Sequence, residues 1–151
     1  MSPDQFIAAI SAAAQASAKT TKVPASFVVA QAALESAWGT SRLSLEGKNL
    51  FGVKADKGWK GPVITMPTRE FVGGKWITVL APWRKYATWL DCINDHADFF
   101  IKNPRYKPCF SCETAEGFAE AVANAGYATD PQYAQKVISV MRAHNLSTLD
   151  V

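Results

Sequence analysis

The sequence predicts an α+β domain that is mainly helical and carries one small β-hairpin. Five segments place apolar residues at helical spacing next to capping residues, whereas 63–80 is rich in β-branched residues around Gly73-Gly74, a pair typical of a two-residue hairpin turn. A chain of 151 residues buries roughly 68–70% of its unfolded surface. Because no repeat or linker divides it, we expect one domain over 1–151, with the β-lobe at about 60–85.

The first two helices are marked by their caps and their apolar spacing. Ser2-Pro3-Asp4-Gln5 combines an N-cap serine, a proline at the first helical position and a capping-box glutamine, so the first helix should run from about Pro3 to Lys19. Pro24 should begin the second helix and Gly39 should end it. Its predicted inward face contains Phe27, Val28, Gln31, Leu34, Glu35 and Trp38.

The segment 41–60 contains three glycines and suggests a loop that packs Leu50, Phe51 and Val53, with no long element. The strands that follow are predicted at 63–66 with 68–72 and at 75–80. A tight Gly73-Gly74 turn would pair Val72 with Lys75, Phe71 with Trp76, and Glu70 with Ile77.

Three further helices complete the prediction. Thr88 should cap the third, which ends at Asn103-Pro104. Thr114 should begin the fourth and Gly126 should end it, and Asp130-Pro131 should cap the fifth.

Composition excludes several classes of protein. With 48% hydrophobic and 19% charged residues, the chain is not globally disordered. Its net charge of +3 and scattered basic residues match no nucleic-acid-binding pattern. The longest apolar stretch, Phe27 to Leu34, is interrupted by Gln31 and is far shorter than the ~20 residues that span a bilayer, so no stable membrane insertion is expected.

The three cysteines are an odd number in a chain large enough to fold without disulfides. Cys109 and Cys112 form a C-x-x-C pair, and with Cys92 and His96 they offer an alternative, a zinc site with three sulfur ligands and one nitrogen. Only one close thiol pair is present, so the prediction is buried or free thiols and no metal.

Glu35 is the first candidate for chemistry. A carboxyl beside Leu34 and Trp38 would be desolvated, its pKa would rise, and it could act as a general acid toward a glycosidic oxygen. The alternative is a surface glutamate paired with a basic neighbour. A second carboxylate would be needed across the bond: Glu70 on the hairpin is the best candidate, with Asp56 and Glu46 as competitors, although a solvated strand residue is the simpler interpretation of Glu70.

Aromatic residues supply candidates for a binding cleft. The corner from Gly126 to Tyr133 can project Tyr127 into a cleft, whereas Asp130 is expected to be structural and Tyr133 to belong to the core. Four tryptophans in or near the hairpin could form the floor of a sugar groove: Trp59, Trp76, Trp83 and Trp89. For His96 and His144, a core or helix-terminus role is preferred to that of a catalytic base.

Four motifs together resemble the glucosaminidase family, glycoside hydrolase family 73, which includes flagellar, autolysin and phage endolysin domains. They are Ala32-Ala33-Leu34-Glu35-Ser36-Ala37-Trp38-Gly39, Lys48-Asn49-Leu50-Phe51-Gly52-Val53-Lys54, Asn103-Pro104-Arg105-Tyr106, and Ala125-Gly126-Tyr127-Ala128-Thr129-Asp130-Pro131-Gln132-Tyr133. They occur in family order and cover nearly the whole chain.

The resemblance implies a lysozyme-like fold and hydrolysis of the β-1,4 bond between N-acetylglucosamine and N-acetylmuramic acid in peptidoglycan, most simply in endo fashion and without a cofactor. It implies that Glu35 is the general acid, that Glu70 is the second acidic residue and that Tyr127 lies near the acetamido group. Asn49, Phe51 and Tyr133 would contribute to the glycan groove. The three cysteines lie outside the family motifs.

Other functions stay open at this point: a lytic transglycosylase or muramidase on the same fold, or a glycan-binding module without catalysis. The N-terminus has no basic region before an apolar one. We therefore expect synthesis in the bacterial cytoplasm without a signal peptide and action on the cell wall after release, as for a phage or prophage endolysin. The expected partner is peptidoglycan, and the expected state is a monomer.

Overall fold

The computed structural model describes residues 1–151 and combines a helical body with one β-hairpin, as the fold-class prediction required. The helices and strands are α1 (Pro3–Thr21), α2 (Ala25–Glu35), α3 (Arg42–Gly47), β1 (Val63–Val72), β2 (Lys75–Arg84), α4 (Trp89–Lys102), α5 (Ala115–Asn124) and α6 (Tyr133–Ala143). Two 3₁₀ helices lie at Pro104–Ser111 and Leu146–Leu149. No helix is both long enough and apolar enough to cross a bilayer.

Helix α2 lies at the centre of the core. Every residue from Ala25 to Ala33 is buried, and α1, α5 and α6 pack around this helix. Phe27 contacts Phe118 with ring centroids 5.0 Å apart and Phe100 at 5.9 Å. The predicted one-sided face is therefore wrong, since α2 is enclosed on all sides while Leu34 at its end is 37% exposed.

Three predicted helix starts are confirmed by their capping hydrogen bonds. The Ser2 hydroxyl oxygen accepts from the Gln5 backbone N–H at 3.2 Å, and the Gln5 side-chain oxygen accepts from the Ser2 backbone N–H at 2.8 Å. Thr88 and Thr114 each accept a backbone N–H at 3.0 Å. A cap of this kind stabilises a helix by about 1 kcal/mol.

The predicted start of the last helix is wrong. Helix α6 has Gln132 as its N-cap, with no capping side chain. Asp130 instead accepts from the Gln132 amide at 2.8 Å and pairs with Lys136 Nζ at 2.5 Å. Its carboxylate thus closes the turn before the helix.

The segment 41–60 also differs from its prediction, because it contains α3 behind the N-cap Ser41. After α3 the chain is held by Asn49. Its Nδ2 donates to the backbone oxygens of Val53 and Arg84, both at 2.9 Å, and its Oδ1 accepts from the Val53 amide at 3.0 Å.

The hairpin has the predicted register, with Val72 opposite Lys75, Phe71 opposite Trp76 and Glu70 opposite Ile77. The predicted interruption at Pro67 does not occur, since both strands of a two-stranded sheet are edges and an edge tolerates proline. Only Met66 and Ala81 of the two strands are buried. The hairpin is therefore joined to the body at its base and stands largely free of it.

Candidate active site

A left-handed turn after α2 fixes the backbone beside Glu35. Helix α2 ends at Glu35, four residues before the predicted stop, because Ala37, Trp38 and Gly39 follow with φ of 50°, 58° and 76°. Ser36 stabilises this turn: its hydroxyl donates to the Ala32 oxygen at 2.6 Å and accepts from the Gly39 amide at 2.9 Å. Positive φ at non-glycine residues is uncommon and costs energy, a feature that often marks functional sites.

The Glu35 carboxyl lies at the boundary between solvent and the protein interior. The residue keeps a solvent-exposed side, yet burial of its carboxyl raises the pKa above its ordinary value, and a hydrogen bond from Tyr133 partly opposes that rise. The Tyr133 hydroxyl donates to Glu35 Oε1 at 3.2 Å. Since α2 also directs the negative end of its dipole toward this position, a negative charge is further disfavoured there.

Two tyrosines, Tyr127 before α6 and Tyr133 at its first position, lie beside this carboxyl. Tyr127 and Tyr133 pack with ring centroids 5.5 Å apart, and Tyr133 is buried. Burial raises the pKa of both hydroxyls well above that of a free tyrosine. Both therefore remain protonated hydrogen-bond donors at any pH at which the protein would work.

A cavity of about 620 Å³ opens next to Tyr127. Phe51 and His96 form part of its wall and stack face to face, with centroids 3.9 Å apart. Charged residues line another part: Arg84, Asp95, Asp98 and Lys102. An aromatic wall beside polar groups is the kind of surface that binds a sugar-sized ligand.

Comparison with known proteins identifies this arrangement. The model of the glucosaminidase family, described as mannosyl-glycoprotein endo-β-N-acetylglucosaminidase, matches residues 11–146. The chain belongs to the glucosaminidase family. The residues matched include α2, the hairpin and the Tyr127–Tyr133 corner.

Relatives of this chain include the peptidoglycan hydrolase FlgJ of Escherichia coli, 40% identical over 141 residues, which cover 91% of the chain and 45% of the relative. The exo-glucosaminidase LytG of Bacillus subtilis is 38% identical, with coverage of 96% and 52%. The chain thus spans about half the length of these relatives.

Solved structures share the fold. The C-terminally truncated glycoside hydrolase domain of Salmonella typhimurium FlgJ has a TM-score of 0.83 at 38% identity, and the match covers 95% of this chain and 98% of that one. The catalytic domain of the Listeria monocytogenes autolysin Auto has a TM-score of 0.88 at 30% identity, with coverage of 98% and 87%.

No hydrogen bond joins Glu70 to Glu35, since the partner of Glu70 is Lys54 and that of Glu35 is Tyr133. Glu70 is on β1 of the hairpin, its side chain is 43% exposed, and its partner is Lys54 Nζ at 3.5 Å. The competing carboxylates have partners of their own, since Glu46 pairs with Arg42 in α3 and Asp56 with Arg84 at 3.3 Å.

Two sets of residues expected at the glycan groove do not line this cavity. Asn49 is buried and its amide is bonded to the backbone, so it shapes the loop that carries Phe51 and does not present its side chain to a ligand. None of the four tryptophans expected to form a floor lines the cavity: Trp59, Trp76, Trp83 and Trp89.

The zinc alternative also fails on geometry, because no group of three or more potential ligands is brought together. Cys92 accepts a hydrogen bond from the Leu50 amide at 3.4 Å, while the His96 ring bonds to Gln31. Burial raises the pKa of the Cys92 thiol to about 12, which makes it an inert core residue.

Gln31 is the site residue that the sequence did not single out. It is fully buried in α2, and its Nε2 donates to the Tyr133 hydroxyl at 2.8 Å. The available signal was a lone amide inside an otherwise apolar run, one helical turn before Glu35.

Proposed function

We propose that this glucosaminidase is a peptidoglycan hydrolase. It cleaves the β-1,4 bond between N-acetylglucosamine and N-acetylmuramic acid within glycan strands, with Glu35 as general acid. The observation that carries the proposal is the Glu35 carboxyl, whose pKa is raised by burial and which accepts a hydrogen bond from Tyr133. The family match and the peptidoglycan-hydrolase relatives support the choice of substrate.

In the proposed first step, protonated Glu35 donates its proton to the oxygen that leaves as the glycosidic bond breaks. The carboxylate that results is stabilised by the Tyr133 hydroxyl, which already points its proton toward Oε1. A raised pKa keeps the acid protonated nearer to neutral pH, and the hydrogen bond prevents the conjugate base from becoming too unfavourable.

The second step needs a nucleophile on the opposite side of the sugar. Glu70 would activate water if hairpin movement brought the two carboxyls to about 6.5–9.5 Å, and it would attack directly at about 5–5.5 Å. In a third route, the substrate's 2-acetamido group attacks. In that route the Tyr127 hydroxyl, which burial keeps protonated, would hold the acetamido group. Loss of Tyr127 should then matter more than loss of Glu70.

We further propose that the protein acts on the bacterial cell wall as a monomer. A phage endolysin and a bacterial wall-remodelling enzyme would use the same site, and we propose the endolysin role. Because one relative is named an exo-glucosaminidase, the length of the released fragments is part of the test.

The test is digestion of purified peptidoglycan by the wild type, by Glu35→Gln and by Glu120→Gln. The last variant removes an exposed carboxylate from α5 and serves as the matched control. Products are reduced with borohydride, and their ends are identified by mass spectrometry. We expect reduced N-acetylglucosamine ends on multi-sugar fragments, a loss of about 10²–10⁴-fold in Glu35→Gln, and no change in the control.

Each other product has a distinct meaning. Reduced muramic ends would indicate a muramidase, and anhydro ends would indicate a lytic transglycosylase. Binding to peptidoglycan without any cleavage would leave a glycan-binding module. Undiminished cleavage by Glu35→Gln would remove Glu35 from the role of general acid.

A further inference from the structure

A chain of side-chain hydrogen bonds runs from the core to Glu35. His96 Nε2 lies 2.8 Å from Gln31 Oε1, Gln31 Nε2 lies 2.8 Å from the Tyr133 hydroxyl, and that hydroxyl lies 3.2 Å from Glu35 Oε1. His96, Gln31 and Tyr133 are all buried. These hydrogen bonds link α4, α2 and α6, and the end residues Glu35 and His96 are 61 positions apart in sequence.

The donors and acceptors of this chain are interdependent. Gln31 Oε1 can only accept, so His96 must carry a proton on Nε2. Gln31 Nε2 then donates to the Tyr133 oxygen, which leaves the Tyr133 proton free to point at Glu35. If His96 were protonated on Nδ1 alone, the Gln31 amide would turn around, and the Tyr133 hydroxyl would donate to Gln31 instead.

We propose that His96 and Gln31 are positioning residues for the general acid: the Nε2–H tautomer of His96 orients the Gln31 amide, which directs the Tyr133 hydroxyl proton to Glu35. This inference rests on the proposed function, in which Glu35 gives up its proton. Neither the His96 nor the Gln31 side chain is hydrogen-bonded to the Glu35 carboxyl, and each acts through Tyr133. The arrangement favours the carboxylate that remains after proton transfer.

The surroundings of His96 keep its ring in place and uncharged. Phe51 stacks on one face at 3.9 Å, and Phe100 and Tyr127 meet the ring edge-on with centroids at 4.9 Å and 6.0 Å. Burial among these rings lowers the pKa of His96 to about 3. The ring is therefore neutral throughout any practical assay range.

Charged groups near this ring are paired with each other. Of those lining the same cavity, Arg84 bonds Asp95 at 2.7 Å, and Lys102 lies 3.8 Å from Asp98. At the Glu35 end of the hydrogen-bond chain, the titratable group that acts on Glu35 is the Tyr133 hydroxyl, and the Glu35 charge in turn raises the pKa of Tyr127. A change in the pH profile after substitution of His96 would thus report on Tyr133 and Glu35.

The first test is the tautomer of His96 in the intact protein, measured by long-range ¹⁵N–¹H correlation NMR after ¹⁵N-histidine labelling. The protein has only two histidines, and the His96→Gln variant assigns the spectrum because it removes the signals of one of them. We expect a neutral ring protonated on Nε2 from pH 5 to pH 8. A ring protonated on Nδ1, or one that titrates near 6.5, would overturn the proposal.

The second test compares two variants of equal side-chain length. His96→Gln keeps an amide that can donate to Gln31, whereas His96→Met removes the donor. Loss of the hydrogen bond from Tyr133 raises the pKa of Glu35, so activity should persist to higher pH. We expect this shift of the basic limb in His96→Met, with kcat about ten-fold lower and KM within roughly two-fold, whereas His96→Gln should keep the basic limb at its wild-type position.

Tyr133→Phe completes the experiment, because a residue that acts through Tyr133 should have no effect when the Tyr133 hydroxyl is absent. We expect Tyr133→Phe to shift the basic limb in the same direction, and His96→Met to add nothing in that background. A further shift in the double variant, or no shift in His96→Met alone, would contradict the proposal. The NMR measurement needs no activity, so it tests the His96–Gln31–Tyr133 hydrogen bonds even if the proposed function fails.

Discussion

Substitution of Gly39 by alanine tests how the turn behind Glu35 is held. The φ of Gly39 is 76°, and a Cβ built there would lie 2.6 Å from Cδ1 and 2.9 Å from Cε1 of Phe6. Phe6 is completely buried and packs edge-on against Trp38, so movement of its ring away from the added methyl group would disturb core packing. The neighbours Ala37 and Trp38 already occupy positive φ, which shows that the contact with Phe6, more than φ, requires glycine.

The expected cost has two parts. A left-handed backbone costs an alanine about 1–2 kcal/mol, and displacement of packed core atoms costs about 1–3 kcal/mol. Gly39→Ala should therefore lower the free energy of unfolding by roughly 2–5 kcal/mol. Gly52→Ala is the matched control, because Gly52 has φ of 67° but no atom within 4 Å of the position that an added methyl carbon would take. This variant should lose only about 1–2 kcal/mol, the amount that a left-handed backbone costs an alanine.

The assay is urea unfolding of both variants and of Phe6→Leu with and without Gly39→Ala. The smaller leucine should relieve the contact, so the double variant should be more stable than the sum of the two single losses predicts. Equal losses in Gly39→Ala and Gly52→Ala, together with additive effects in the cycle, would refute the steric explanation.

Two further predictions concern titratable side chains of the core. The pKa of His96 in the folded protein, about 3, lies below the ordinary value of 6.5. Between these values the unfolded protein binds a proton that the folded protein does not, so stability falls as pH falls. From pH 6.5 to pH 4 the free energy of unfolding of the wild type should fall by about 3 kcal/mol more than that of His96→Gln, as measured by urea unfolding at each pH. Native-state titration with a thiol reagent should modify the exposed Cys112 first and spare Cys92 until the protein unfolds, because Cys92 is buried with a thiol pKa of about 12; rapid labelling of Cys92 in the native protein would contradict this burial.

Local signals in the sequence predicted much of the fold. Ser2, Thr88 and Thr114 satisfy the free N–H groups of the residues that follow them, and that chemistry is visible over three or four residues. The Gly73-Gly74 turn fixed the strand register in the same way, since both glycines adopt positive φ.

The errors have more than one physical cause. The end of α2 was misplaced because Ala37 and Trp38 adopt left-handed conformations that no local propensity favours. The six residues of α3 are too few for a periodic pattern.

The site was predictable where it followed a motif and unpredictable where it depended on contact across the fold. Glu35 was identified from its apolar neighbours, and its carboxyl is desolvated in the structure. The bond between Gln31 and His96 joins residues 65 positions apart, and no spacing rule relates them. His96 was assigned to the core, which is correct, but its position in a hydrogen-bond chain required the three-dimensional arrangement.

The two halves of the site differ in how firmly they are held, and this difference bears on mechanism. Glu35 stands at the end of an enclosed helix, with its partner Tyr133 buried behind it, whereas Glu70 stands on a hairpin with only two buried side chains. The exposed pair between Lys54 and Glu70, at 3.5 Å, contributes at most about 1 kcal/mol and would not resist movement of the hairpin. A mechanism that uses Glu70 therefore depends on the position of a weakly held hairpin, while one that uses the substrate's acetamido group depends only on the firmly held half.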